Sequence, residues 1–145
     1  MAKSYRIPRS RGLELARVLL VDDDVTSRLT LQTVLEAGGY QVDAAASAAE
    51  AVGKLDDGEY ELVLTDLRME SPEAGLKVLA HARMMDYKPA TALVTTYQDH
   101  THRAPRNSAT VLIEPEDLPG LLSRIADLIS GRATRKVERE LRHAN

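Results

Sequence analysis

Between residues 18 and 130, short apolar and β-branched runs alternate with stretches whose apolar positions recur at helical spacing. Val18 to Val21 is a continuous apolar run of strand length. Thr26 to Ala37 follows as a predicted helix, with Leu29, Val34 and Leu35 at helical spacing and Gly38-Gly39 as its stop signal. Tyr40 to Ala44 predicts a second strand, weakened by its alanines. Ser47-Ala48-Ala49-Glu50 has capping-box spacing, in which the Ser side chain and the Glu three residues on satisfy each other's free backbone donors, and it opens a helix that ends near Gly58. Glu61 to Thr65 is a third strand ending at Asp66, and Gly75 to Met85 reads as a helix through Leu76, Val78, Leu79 and Ala82. Ala90 to Thr95, entered through Pro89, is a fourth strand, and Thr110 to Ile113 a fifth. After Pro115 comes an amphipathic helix whose Leu118, Leu121, Leu122, Ile125, Leu128 and Ile129 form one apolar stripe.

Five β runs separated by helical stretches imply an α/β fold, a doubly wound five-stranded parallel sheet with helices on both faces, because parallel neighbours require crossovers. One crossover is irregular. Tyr97 to Ser108 has no apolar period and contains Pro105, which removes a backbone donor, so the fourth helix is predicted to be degenerate: short, distorted or missing.

Composition narrows the setting. The 145 residues suffice for one domain with a core, and the absence of cysteine excludes a disulfide framework, a Cys-based zinc site and a thiol nucleophile, in keeping with a cytoplasmic protein. No run reaches the length of a membrane span, and no signal-peptide core is present. The net charge of −3 is uneven: residues 1–17 carry five basic residues against Glu14, residues 131–145 carry five against Glu138 and Glu140, and the remainder is therefore at −10. The sequence thus divides into a basic extension (1–16), a body (17–130) and a basic tail (131–145) that can extend the last helix. An acidic body argues against nucleic acid as its ligand and leaves the ends as contacts for anionic partners.

The chemistry gathers at strand ends. Val18 to Val21 runs straight into Asp22-Asp23-Asp24, and crowded carboxylates at the end of a buried strand call for a hard cation such as Mg²⁺ or, in the bland reading, form a solvated turn that caps the next helix. Asp22, Asp23, Asp66, Thr95 and Glu114 each fall at or just beyond a strand's carboxyl end, where ligands bind in open α/β sheets.

These residues resemble the receiver domain of two-component response regulators, a chemotaxis-regulator-like, flavodoxin-like fold. The resemblance covers roughly residues 17–130 and rests on Val-Asp-Asp-Asp at 21–24, Leu-Thr-Asp-Leu-Arg-Met at 64–69, Gly75-Leu76, Val94-Thr95-Thr96 and Glu114-Pro115. It implies that Asp66 is the phosphoacceptor and that Asp23 and Asp66 ligate Mg²⁺ directly. Asp22 would do so mostly through water, the backbone carbonyl of Arg68 would complete the set, and Thr95 would contact the phosphoryl group. A histidine kinase or phosphotransfer protein would be the donor and an as yet unidentified protein the target. No enzymatic activity is implied beyond self-catalysed phosphoryl transfer to Asp66 and its hydrolysis.

Three departures accompany the match. Glu114 stands at the family's Lys position, and exchanging a cation for an anion at about 6 Å shifts the interaction with a unit charge by about 5 kcal/mol at an effective dielectric of 20, before screening. Val111 replaces the switch aromatic. The loop after Asp66 has Glu70 where Pro is customary, and one extra residue before Gly75. The Arg68 side chain is a candidate compensating charge. A phosphorylation-independent pseudo-receiver is the alternative reading. A haloacid-dehalogenase-like phosphatase with Asp22 as nucleophile and Asp24 as general acid is a further one, because Asp22-x-Asp24-Val25-Thr26 matches that opening motif. The Leu121–Ile129 stripe is expected in the core, with dimerisation open, and output is expected through protein contacts.

Overall fold

The structure, a computed structural model, describes residues 16–67, 69–94, 111–113 and 117–143. Strands β1 (Arg17–Val21), β2 (Gln41–Ala45), β3 (Leu62–Asp66), β4 (Ala90–Val94) and β5 (Val111–Ile113) alternate with helices α1 (Val25–Ala37), α2 (Ala48–Asp57), α3 (Ala74–Arg83) and α4 (Leu118–His143). All four strand pairings are parallel, in the order β2-β1-β3-β4-β5. The path runs outward from β1 to β2 and then returns across β1 to β3, so the order reverses between β1 and β3. At such a switch the crossovers diverge and leave a crevice at the strands' carboxyl ends.

Strand alternation sorts the core into two layers. Val18 and Leu20, Leu62 and Leu64, and Ala90, Ala92 and Val94 face Leu31 and Leu35 of α1 and Leu121 and Ile125 of α4. Leu19, Val21, Ala45, Val63 and Leu93 face Ala51 and Leu55 of α2 and Val78, Leu79 and Ala82 of α3. The central strands are covered on both faces, which is why they read as continuous apolar runs.

Local chemistry sets the helix ends. Asp24 caps α1 by accepting the Ser27 amide, and Ser47 caps α2 by accepting that of Glu50. Glu50 does not close the box on the Ser47 amide; its carboxylate accepts the N–H of Ala46, at 2.8 Å. Asp117 caps α4, Oδ1 accepting the Gly120 amide at 3.1 Å, while Pro119 sits in the first turn where its missing N–H costs nothing.

One expectation about α1 needs correction: Leu29 is 55% exposed and not part of the α1 core stripe, which is Leu31 and Leu35. The basic segment from 131 does extend the last helix, since α4 continues unbroken to His143. The fourth crossover, Tyr97 to Ser108, lies outside the described residues, as do Arg68, Thr95 and Glu114. Among the described residues no helix is long and apolar enough to cross a membrane.

Candidate functional site

The β1–β3 register brings the acidic residues together. Val21 lies opposite Thr65, so Asp22 and Asp66 follow side by side at the carboxyl end of the sheet, and Asp66 lies opposite Val94. One carboxylate oxygen from each of Asp22, Asp23 and Asp66 lies within 4.8 Å of the others. Of the residues the sequence singled out, these three are united by the structure; Thr95 and Glu114 follow directly after Val94 and Ile113 in the chain but, with Arg68, lie outside the described residues.

Asp22 is 4% exposed and held from several sides. Its amide donates to the Ala45 carbonyl at 3.0 Å, Arg28 Nη1 donates to its carbonyl oxygen at 2.9 Å, and its Oδ1 accepts the Asp24 amide at 3.0 Å. Asp24 points its own carboxylate at the α1 terminus and stands apart from the triad. Asp23 is exposed, yet its carboxyl is pushed above the usual range, first by desolvation and then by the charge of Asp22, with Glu70 and Asp24 adding to the effect against a lowering backbone hydrogen bond. A carboxyl raised by neighbouring anions is one that a cation would relieve.

Asp66 is fixed through the backbone that surrounds it. The Gly75 amide donates to the Leu67 carbonyl at 3.1 Å. A Cβ at Gly75 would collide with the Asp66 carbonyl oxygen and lie 2.8 Å from the Leu67 Cα and carbonyl oxygen. Gly75 therefore lets the start of α3 press directly on the strand end. In the same loop, the Glu70 carboxylate accepts the Ala48 amide at 3.0 Å, tying the β3–α3 connection to the α2 N-terminus.

The donor set suits a small hard cation. Carboxylate oxygens around Mg²⁺ stand about 2.1 Å from the ion, hence about 3–4 Å from one another, so the observed spread of up to 4.8 Å calls for a contraction of at most about 1–2 Å. An exposed rim also leaves room for the waters and phosphate oxygens that Mg²⁺ retains. The sequence did not reveal the Arg28 clamp or the backbone contact made by Gly75; the signal available for Arg28 was a cation in the first turn after the acidic triplet.

Comparison with known proteins agrees with this geometry. The family model for the response regulator receiver domain matches residues 18–111. The transcriptional regulatory protein ZraR of Klebsiella oxytoca is 28% identical over 120 residues, covering 81% of this chain and 27% of that protein. The CpxR homolog of Haemophilus influenzae is 34% identical over 85 residues, covering 59% of this chain and 37% of that protein. The chain therefore spans well under half the length of these two relatives. Among solved structures, a receiver protein from Sinorhizobium medicae WSM419 superposes with a TM-score of 0.69 at 26% identity, covering 83% of this chain and 98% of that one. The response regulator TrrA from Thermotoga maritima, solved in complex with Mg(2+)-BeF, gives 0.67 at 25% identity, covering 79% and 99%. Receiver domains bind Mg²⁺ at an acidic pocket, take phosphate from histidine kinases or phosphotransfer proteins, and are generally signalling modules without enzymatic turnover. With an acidic triad at the β1–β3 switch point and the family model matched over most of the body, this chain belongs to the response regulator receiver domain family.

Proposed function

We propose that this chain is a receiver phosphorylated on Asp66, with Mg²⁺ held by Asp22, Asp23, Asp66 and the backbone carbonyl of Arg68, and that it signals through contacts with another protein. The supporting observation is the convergence of the three carboxylates within 4.8 Å at the end of the two central strands. In the reaction an Asp66 carboxylate oxygen forms a bond to phosphorus as the bond from phosphorus to the donor's nitrogen or oxygen breaks, and that electron pair leaves with the donor. The cation supplies charge neutralisation for two groups that otherwise repel. The chain's own residues orient: Arg28 and the Ala45 carbonyl fix Asp22, and the Gly75 backbone fixes the turn after Asp66. Thr95 would contact the phosphoryl oxygen, and the Arg68 guanidinium would offset Glu114.

A receiver that signals without phosphorylation is the second reading, favoured by Glu114 at the position of the family's Lys. The dehalogenase-like alternative is disfavoured because Asp24, its required general acid, spends its carboxylate on the Ser27 amide. In either receiver reading residues 17–130 form the body in the cytoplasm, and the basic ends contact anionic surfaces. Amide NMR spectra with Mg²⁺ alone and with Mg²⁺ plus beryllofluoride separate the two. Shifts that spread from the Asp66 rim to β4 and β5 support a phosphorylation-driven receiver; shifts confined to the metal ligands, or none with beryllofluoride, support the independent module.

A further inference from the structure

The last helix changes character where it leaves the body. Leu121, Ile125 and Leu128 pack on the core in steps of four and three residues, and Arg132, Arg135, Arg139 and Arg142 continue the same alternation. One seam of the helix is thus apolar over the sheet and arginine beyond it. Arg132 closes the apolar part, Nη2 donating to the Tyr87 carbonyl at 2.7 Å and Nε to that of Lys88 at 3.0 Å. From there the helix runs on for about 16 Å. Residues 133–138 and 140–143 are exposed, and Arg135, Arg139 and Arg142 have no hydrogen-bonded or ion-paired partner among the described residues. On the opposite side of this arm Val137 and Leu141, one turn apart, are 54% and 63% exposed.

The chain carries a complementary surface at the amino ends of its strands, the end of the sheet opposite the carboxylate triad. The α2–β3 and α3–β4 loops enclose a groove of about 390 Å³ whose lining includes Leu55, Met84 and Tyr87 and the acids Asp56, Asp57, Glu59 and Asp86. Asp56 is engaged by His81 at 2.8 Å; the other three have no ion-pair partner among the described residues. Two cations near the groove are committed elsewhere: Arg17 pairs with Asp43 at 2.8 Å and stacks on Tyr60, and Arg132 holds the two carbonyls, while Lys88 Nζ donates to the Arg83 carbonyl at 3.5 Å.

We infer that the arginine face of the α4 arm docks into the acidic groove of a second copy of this chain, the two copies exchanging arms reciprocally. Three observations select this occupant. The free charges match, three guanidinium groups to three carboxylates. Arg132 anchors the arm at the groove's own edge, on the Tyr87 carbonyl, so two copies related by a two-fold axis present arm to groove twice and the contact closes. Such an axis also lets the two arms lie side by side, which gives Val137 and Leu141 a partner in their twins. The inference stands apart from the chemistry of Asp66.

The test is the solution mass by multi-angle light scattering at low and high salt, against a monomer of 15.9 kDa. The wild-type chain is expected at twice that mass at low salt, with the dimer weakening as salt screens exposed pairs. An arm variant (Arg135→Glu, Arg139→Glu, Arg142→Glu) and a groove variant (Asp57→Lys, Glu59→Lys, Asp86→Lys) should each raise the dimer Kd about 30-fold or more. Mixed in equal amounts, they should regain the dimer mass, because each arm then meets a groove of opposite sign. Melting curves confirm folding, and Asp57→Asn with Asp86→Asn replaces the groove variant if lysine there prevents it. A monomeric wild type, a dimer indifferent to both variants, or a mixture that does not complement overturns the inference. So does a dimer lost on removal of residues 1–15, which would make that basic segment the occupant. A monomer that binds duplex DNA or anionic vesicles through the arm overturns it as well.

Discussion

Replacing Asp23 by asparagine removes one of three carboxylates whose oxygens lie within 4.8 Å of one another, at almost no change in volume. A pair of unit charges at that distance repels by about 0.9 kcal/mol at a dielectric of 80 and about 3.5 kcal/mol at 20. Asp23 is exposed, so the lower figure applies, and with two anionic neighbours the relief comes to about 1–2 kcal/mol before salt screening. The asparagine Oδ1 can still accept the backbone hydrogen bond made to the Asp23 carboxylate, so metal-free Asp23→Asn should be more stable than the parent, by about 1 kcal/mol in urea denaturation with EDTA. With Mg²⁺ the parent gains by linkage and the variant, short of a ligand, gains less, so the gap closes or reverses. The pH dependence has the same origin. A carboxyl raised in the folded state contributes stability that is present below its unfolded value and lost as pH rises through the folded one, so the metal-free parent should gain relative to the variant as pH falls toward 3.8. A variant less stable than the parent in EDTA, or equal stabilisation of both by Mg²⁺, would refute the reasoning.

Three further substitutions have expected outcomes. Gly75→Ala sets a Cβ against the Asp66 and Leu67 backbone, and should cost about 2–4 kcal/mol by urea denaturation and weaken Mg²⁺ binding by calorimetry. Tyr87→Phe removes the hydrogen bond its hydroxyl donates to the Leu55 carbonyl at 2.8 Å and should cost about 1 kcal/mol. Burial pushes the Tyr87 phenol up to about 12, so its contribution, present below pH 10, should fade as pH rises through about 12, and the alkaline melts of parent and variant should converge there. In the proposed receiver Glu114→Lys would put a cation at the position of the family's Lys, and should raise the steady-state yield of acyl phosphate on Asp66 about tenfold or more in acetyl phosphate labelling.

The central strands were legible because burial on both faces leaves them continuously apolar, and the Asp66 terminus followed from where that run breaks. Helix α1 was read less well. Leu29 shares apolar character with Leu31, but two residues turn the helix by about 200°, and only the sheet's position decides which of them is inside. Glu50 was expected to close on Ser47 and instead reaches Ala46, a choice of neighbouring donors that spacing alone does not resolve. At the site, the three carboxylates could be grouped because parallel strands in register bring their ends together. Gly75 was visible as a motif letter, but its purpose, a backbone approach too close for any Cβ, exists only in three dimensions. The arginine seam of α4 was visible as charge, and its continuity with the core stripe became meaningful once the helix proved unbroken.

Intact-mass measurement after incubation with acetyl phosphate bears most directly on the proposed role of Asp66. In the presence of Mg²⁺ the chain should gain the mass of one phosphoryl group, mapped to Asp66 and absent both in EDTA and in Asp66→Asn. An unchanged mass with Mg²⁺ bound, or a gain that survives Asp66→Asn, would contradict it.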